Sequence, residues 1–497
     1  MSNNQLQIAC VFEKNMVMQR DVPLKVWGKG IEGQLVTVSI ADQQVQAVVE
    51  NGQWELILEP LPIHNSDNPL TMRIASGEEE IILDNILVGD VYLAGGQSNM
   101  LMPLRLMDTA AEDLQQAEYP EIRLYDVPCR HYEDADLFVG GNGELGIWEI
   151  KDKTSWRECT PENVKNFSAI GYYFAKDIYE SQNIPIGIIN CNWGGKSAAC
   201  WIDEKVMAEH SELYQLYEEF AEKVSKVDEA EYAAKWQRYV EQITTYIEEN
   251  GTKIPLEPFG KYYSYRPCGV FHTMLKPIAP FGLKGVLWYQ GESDDFQHHI
   301  YEKMLTVMIA NWRALFEDPK LPFFIVQLPF VNRSGDQFKW GFIRQAQFNV
   351  TQKLDNTYLA VGIDAGGDGD IHPTDKKDIS LRLVLLARKY LYNEDIVADS
   401  PVVSDVQFEG KKAIIIFDQV NGKLINKGDR VQGFMLCGED GVYKDAEARI
   451  VDWNQVEVWC DEIESPFGVR YGFTNFCTCT LYNDSGLPVT PFNYELN

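Results

Sequence analysis

Four short segments of this 497-residue chain carry residue types that acyl-transfer chemistry uses. Ser98 lies in Gly95-Gly96-Gln97-Ser98-Asn99, directly after the apolar run Val91-Tyr92-Leu93-Ala94. A serine in a glycine-rich turn at a strand end presents its hydroxyl at the mouth of a sheet, with its backbone N–H able to donate. That suits a nucleophile, although a serine capping a helix start has the same local look. The segment is not a G-x-S-x-G elbow, since Asn99 and Met100 follow. Asn192-Trp193-Gly194-Gly195-Lys196-Ser197 closes a second apolar run. Paired glycines there let a backbone N–H point at a developing oxyanion, or simply make a tight turn. Trp288-Tyr289-Gln290-Gly291-Glu292-Ser293-Asp294 follows a third run, and the Gln290 amide is a further candidate oxyanion donor, with a structural turn as the competing reading. The fourth segment, Asp368-Gly369-Asp370-Ile371-His372-Pro373, brings one histidine beside two carboxylates. His372 suits a general base near neutrality, and a carboxylate can fix its tautomer. The other six of the seven histidines sit in charged or irregular contexts. His298-His299 lack the i,i+4 spacing of a helical metal pair and read as surface or helix-start residues. No metal or cofactor motif is found in the sequence. A serine, oxyanion donors and a His–Asp pair on successive strand ends together suggest acyl transfer.

These segments need a scaffold. Apolar runs at Ile186–Cys191, Val286–Tyr289, Phe323–Leu328 and Tyr358–Ile363 read as buried strands, with helical segments such as Ile300–Phe316 between them. Alternation of this kind predicts an α/β fold with a mostly parallel sheet covered on both faces. Sites in such sheets lie beyond the carboxyl ends of the strands, where the four motifs fall. Residues 1–88 read as an N-terminal β-sandwich domain, with Asn51-Gly52 as a hairpin signal between alternating runs. Residues 89–400 form the catalytic domain, interrupted at about 203–250 by charged helical sequence. There Tyr232, Trp236, Tyr239, Ile243 and Ile247 make one amphipathic face, suiting either a helical hairpin packed beside the domain or a lid. Residues 401–497 read as a C-terminal β-rich domain with turns at Asn421-Gly422 and Asp440-Gly441.

Composition narrows the partners. A formal net charge of −30 argues against nucleic acid or an anionic membrane surface and fits an enzyme acting on a small or neutral substrate; an anionic one would need a local basic spot. No run of about 18 apolar residues is found, so no membrane span is expected. Met1-Ser2-Asn3-Asn4-Gln5 lacks the basic and apolar regions of a signal peptide, which points to the cytoplasm unless a leader has been removed. The ten cysteines are scattered without paired CxxC motifs and read as buried thiols in a reducing compartment.

The joint pattern resembles the sialate O-acetylesterase family within the SGNH/GDSL hydrolase superfamily. The resemblance rests on Gly96-Gln97-Ser98-Asn99-Met100, Asn192-Trp193-Gly194-Gly195, Trp288-Tyr289-Gln290-Gly291-Glu292-Ser293 and Asp370-Ile371-His372-Pro373. It extends to Asn15-Met16-Val17-Met18-Gln19-Arg20-Asp21 and to Gly486-Leu487-Pro488, and so spans nearly the whole chain. It implies a three-layer α/β/α catalytic domain with flanking β domains. It also implies a serine carbohydrate O-acetylesterase needing no metal or cofactor, acting on sialic acid O-acetyl esters or on acetylated xylan, xyloglucan or mannan oligosaccharides. Ser98 would be the nucleophile and His372 the base. The Ser98 N–H, Gly194, Gly195 and the Gln290 side chain would bind the oxyanion, and Glu292 would support its loop. The superfamily's acid lies three residues before the histidine, where this chain has Gly369; Asp370, Asp368 or no carboxylate completes the triad. His272 stands where the family often has Asn, which bears on the sugar. Lys196, Arg266 and Arg344 are the candidate cations for a substrate carboxylate, with a structural role the favoured reading of each. A lipase or thioesterase on the same fold, or an inactive carbohydrate-binding protein, are the competing readings.

Overall fold

The structure, a computed structural model, describes residues 5–131, 139–142, 147–150, 155–248, 255–332, 339–369 and 371–496. The chain forms two compact units: Met1–Trp288 with Val307–Phe323, and Tyr289–Thr306 with Phe324–Asn497.

The first unit is organised by one strand of 18 residues, Glu79–Gly96. Its early residues alternate between exposed and covered, and everything from Ile86 onward is buried. The partners follow that change. The amphipathic part pairs antiparallel with Leu70–Ser76, and Leu87–Gly89 pairs parallel with Val17–Gln19. Asp90–Gly96 then pairs parallel with Ile186–Asn192. A strand buried on both faces reads as a continuous apolar run, which is why the second half was legible as a central strand. The sheet continues through Tyr119–Asp126, parallel to Ile186–Asn192, to Arg157–Cys159 at one edge, with Gly285–Tyr289 on the other side of Glu79–Gly96.

Helix Ala169–Gln182 packs on Ile186–Asn192 and Tyr119–Asp126. It is started by Ser168, whose hydroxyl accepts from the Gly171 N–H (3.1 Å), and ended by Asn183 in the left-handed region. Trp201, Trp288 and Trp312 pack ring against ring, and the Trp312 indole donates to the Trp201 carbonyl (2.9 Å).

Asn51-Gly52 does form a tight turn, with both residues at positive φ. It closes the expected hairpin turn, with Glu50 and Gln53 paired antiparallel through both main-chain hydrogen bonds (2.8 and 3.0 Å), but the strands on either side then part company. Gln43–Val48 before it pairs with Leu35–Ile40, while Gln53–Leu58 after it pairs with Leu24–Lys29, in another sheet. The turn chemistry sets a local reversal, but burial of Trp54, Leu56 and Leu58 takes the second strand into a different sheet. The interrupting segment is helical, as expected, with helices Glu204–Ala208, Ser211–Ser225 and Glu229–Glu248. Tyr232, Tyr239 and Ile243 on the last of these are buried.

Strand Phe323–Val326, which belongs to the second unit from Phe324 onward, neighbours Thr357–Ala360 of that unit. Helices Trp340–Lys353 and Lys377–Leu391 both pack on Thr357–Ala360. Beyond them lie two four-stranded antiparallel sheets, one from Val402–Glu409, Lys412–Asp418, Gln455–Trp459 and Glu447–Asp452. The other comprises Lys444–Asp445, Phe434–Cys437, Gly468–Tyr471 and Phe492–Glu495. Ile415, Phe417, Leu436, Val456, Val458 and Tyr471 share one core there. Asp440-Gly441 makes the expected turn, and the strands on either side of it, Phe434–Cys437 and Lys444–Asp445, pair antiparallel. The Asn421-Gly422 turn instead leads into Leu424–Asn426, which pairs with Leu481–Asn483. Among the described residues, no helix is long and apolar enough to cross a membrane.

Candidate active site

The candidate residues divide between the units. Ser98, Gly194 and Gly195 lie in the first; Gln290, Glu292 and His372 lie in the second.

Gly96 ends the long strand at φ +132, Gln97 is extended, and Ser98 opens the short helix Ser98–Leu101. Ser98 is therefore both a strand-end residue and a helix-start residue. Its N–H belongs to a first helical turn, which has no acceptor within its own helix. The residue is 4% exposed. Two contacts hold the turn: Ser168 donates to the Met100 carbonyl (2.6 Å), and the Ala169 N–H donates to the Met102 carbonyl (2.8 Å).

The neighbouring parallel strand ends in register, Asn192 opposite Gly96. The Trp193 N–H donates to the Gly96 carbonyl (3.1 Å), and the Asn192 side chain donates to the Ala94 carbonyl (3.2 Å). The Gly194–Gly195 turn is thereby fastened to the turn carrying Ser98. Gly195 has φ +73, and a Cβ there would stand 2.9 Å from the Tyr265 hydroxyl. Only glycine fits both constraints without strain. Lys196 is buried; its Nζ donates to the Gly194 carbonyl (3.3 Å) and lies 4.5 Å and 3.6 Å from the Trp193 and Tyr265 ring centres. Burial brings its pKa down to about 8. The long helix of the interrupting segment reaches this neighbourhood through His131, whose ring meets Trp193, Trp236 and Tyr239 edge-on. His131 also pairs with Glu257 (3.2 Å).

In the second unit, Gln290 is fully buried and clamped at both ends of its side chain. Its Nε2 donates to Asp294 Oδ2 (2.5 Å), and its Oε1 accepts from the Tyr301 hydroxyl (3.0 Å). Its backbone carbonyl accepts from Gln347 Nε2 (3.0 Å). With the oxygen held by a donor and the amide nitrogen by Asp294, the amide orientation is set. Glu292 is buried at the start of the short helix Glu292–Gln297.

His372 is 8% exposed and stands on the connection from Thr357–Ala360 to Lys377–Leu391. Arg382 anchors the start of that connection with a bidentate pair to Asp364 (2.6 and 2.8 Å) and a bond to the Val361 carbonyl. Tyr482 also donates to Asp364 (3.1 Å). Farther along, Gly367–Asp368 pairs with Val331–Asn332, and the Gly369 N–H donates to the Asn332 carbonyl (2.7 Å). At Gly366 a Cβ would lie 1.9 Å from the Phe330 carbonyl oxygen, so the loop sits against that backbone. Asp370, the leading triad acid, lies outside the described residues.

The three candidate cations have different surroundings. Arg344 is buried and donates to the carbonyls of Pro329, Gly472 and Thr474, which makes it a brace for a loop. Lys196 braces the Gly194 turn. Arg266 gives one long bond to the Tyr263 carbonyl (3.4 Å), and with Lys261, His272, Tyr217, Phe220 and Tyr262 it lines a cavity of about 650 Å³. Among the described residues no carboxylate lies within ion-pair distance of Arg266 or Lys261. Sequence reasoning missed the roles of Asp294, Tyr301 and Gln347. Asp294 carried a signal, an acid four residues after Gln290 in the same polar motif; Tyr301 and Gln347 reach it from other elements and carried none.

Residues 265–391 match the family described as carbohydrate esterase, sialic acid-specific acetylesterase. The mouse (Mus musculus) sialate O-acetylesterase is 24% identical, aligned over 99% of this chain and 94% of that protein. The human (Homo sapiens) sialate O-acetylesterase is also 24% identical, over 98% and 92%. Among solved structures, a carbohydrate acetylesterase from Xanthomonas citri superposes with a TM-score of 0.79 at 30% identity, covering 99% of this chain and 100% of that one.

Proposed function

The chain belongs to the sialate O-acetylesterase family of carbohydrate esterases and is a carbohydrate O-acetylesterase; from that premise we propose that Ser98 takes up the acetyl group and that His372 moves the protons. The observation that carries this reading is the pair of strand-end turns fastened by the Trp193–Gly96 hydrogen bond. It places a helix-start serine beside a turn in which Gly195 is left-handed and a Cβ would stand 2.9 Å from the Tyr265 hydroxyl. In the first step neutral His372 accepts the Ser98 proton as the hydroxyl oxygen attacks the acetyl carbonyl. Backbone N–H groups of Ser98 and the Gly194–Gly195 turn, with the Gln290 amide, hold the negative oxygen. The sugar alcohol leaves with the proton from His372. Water then attacks the acetyl-serine by the same route, releasing acetate and restoring Ser98. Asp294 and Tyr301 fix the Gln290 amide so that little reorganisation is needed when the oxyanion forms.

We further propose O-acetylated sialic acid as the preferred substrate, ahead of neutral acetylated xylo- or manno-oligosaccharides. Supporting this, Arg266 and Lys261, neither within ion-pair distance of a carboxylate among the described residues, line a cavity whose wall also includes Glu204, in a chain whose net charge is −30. Arg266 follows Tyr265, the residue packed at the Gly195 turn. The test is acetate release from O-acetylated sialic acid and from acetylated xylo- and manno-oligosaccharides, by the parent, Ser98→Ala and Arg266→Met. Ser98-dependent release that favours sialic acid and loses that preference in Arg266→Met supports the reading. Equal loss on neutral and anionic sugars in Arg266→Met would remove the carboxylate role, and release that survives Ser98→Ala would remove the nucleophile.

A further inference from the structure

All ten cysteines are thiols. The sulfurs of Cys477 and Cys479 lie 3.7 Å apart across a single exposed residue, Thr478, and both are partly exposed. The ordinary disulfide length is about 2.05 Å, so closure asks for a movement of well under 2 Å. The two thiols are not equivalent. A hydrogen bond from Cys479, helped by Thr474 and the Arg344 guanidinium, lowers Cys477 to about 7, whereas burial pushes Cys479 well up. One sulfur is thus poised to attack and its neighbour to resolve.

The pair also has a route to the base. Cys477 and Cys479 pack against Phe330, Val361 and Ile363. In the same segment, the Asn475 carbonyl accepts from the Val331 N–H (3.1 Å), and Phe476 meets Phe330 ring to ring. Phe330–Asn332 is the backbone against which the His372 loop rests, through the close approach at Gly366 and the Gly369–Asn332 bond.

We propose that Cys477 and Cys479 form a reversible dithiol–disulfide site, and that its oxidation by a small-molecule disulfide displaces the His372 loop and lowers esterase activity. The Cys477 thiolate attacks one sulfur of the oxidant, breaking its S–S bond and releasing one thiolate. Cys479, losing its proton to solvent, then attacks Cys477 Sγ and expels the second. The protein gives up two electrons and two protons, and the oxidant becomes two thiols. Closing the bridge draws the 474–479 segment in and removes the thiolate facing Arg344, whose other acceptors are the carbonyls of Thr474 in that segment, of Gly472 just before it and of Pro329, the residue before Phe330. Misplacement of a catalytic group by about 1 Å costs up to ~10²-fold, so a roughly tenfold loss is expected.

The effect on activity rests on His372 being the base; formation of the bridge does not. The test treats the full-length protein, with Cys10→Ser and Cys129→Ser to remove the other exposed or partly exposed thiols, with oxidised glutathione. Peptide masses and acetate release are followed before and after dithiothreitol. The expected result is a two-hydrogen mass loss confined to the Cys477–Cys479 peptide, with activity falling and returning on reduction. Cys479→Ser, or Cys477→Ser should the first not fold, keeps basal activity and no longer responds. Absence of the bridge overturns the proposal, as does a bridge formed with activity unchanged. Should His372→Ala keep full activity, the base assignment fails instead, which separates the two failures.

Discussion

The turn that carries Ser98 and the loop that carries His372 are built by opposite means. Ser98 follows a strand buried on both faces, and the adjacent Gly194 turn follows the next strand in register. Main-chain bonds hold both: Trp193 to Gly96, and Ala169 to Met102. The His372 loop belongs to no strand or helix beyond the two-residue pairing at Gly367–Asp368. Besides that pairing and the Gly369–Asn332 main-chain bond, its hold comes from side chains, with Arg382 and Tyr482 on Asp364, and from close backbone approach at Gly366. Backbone ladders resist substitution at any one residue, while a side-chain brace has a weak link. The nucleophile side should therefore be sensitive to the reacting residues themselves, and the base side also to residues remote from them.

The largest effect expected is Ser98→Ala, with kcat/KM falling by at least ~10³-fold and thermal stability little changed. His372→Ala should come close to it, at about 10³-fold. A His372→Ala rate equal to the parent's would break the comparison by leaving the loop without a reacting group. Gln290→Ala should cost ~10²–10³-fold through loss of an oxyanion donor. Asp294→Asn should cost less, because it loosens the Gln290 amide without removing it, and kcat should fall while KM holds. The sharpest contrast is Arg382→Met against Gly195→Ala. Arg382→Met cuts the loop's anchor far from chemistry and should lower both activity and melting temperature. Gly195→Ala strains a left-handed position by about 1–3 kcal/mol and should mainly lower kcat. The smallest effect concerns Lys196. Its folded pKa of about 8 lies below the ordinary lysine value, so between about pH 8 and 10.5 the unfolded chain binds more protons. The cost of burying its charge, full below pH 8, fades as pH rises through that window. Urea titrations should show the parent gaining stability relative to Lys196→Met from pH 8 to 10.5; a difference flat in pH would mean the ammonium is not desolvated.

The contrast also explains what was legible in the sequence. The strands and their polar ends were, because continuous burial writes itself as unbroken apolar runs such as Val91–Ala94 and Ile186–Cys191. Observed limits differ from the expected ones by a few residues at most for Ile186–Asn192, Gly285–Tyr289, Phe323–Val326 and Thr357–Ala360. The helix expected at Ile300–Phe316 spans His298–Leu315, which makes His298 and His299 helix-start residues. Unity of the Glu79–Gly96 strand was hidden, since its halves follow different patterns. Partners assembled from distant elements were hidden as well: nothing near Gln290 announces Gln347, and nothing near Gly194 announces the Tyr265 ring beneath Lys196. Turn residues such as Asn51-Gly52 gave the reversal correctly but not which sheet the next strand joins, because that choice is made by tertiary burial.

The central claim is that Ser98 and His372 act on one acyl group. Labelling by a fluorophosphonate probe, with the modified residue located by peptide mass, tests it most directly. A single adduct on Ser98, formed fast in the parent and at background rate in His372→Ala, is the predicted result. Labelling of another residue, or labelling of Ser98 in His372→Ala at the parent's rate, would contradict it.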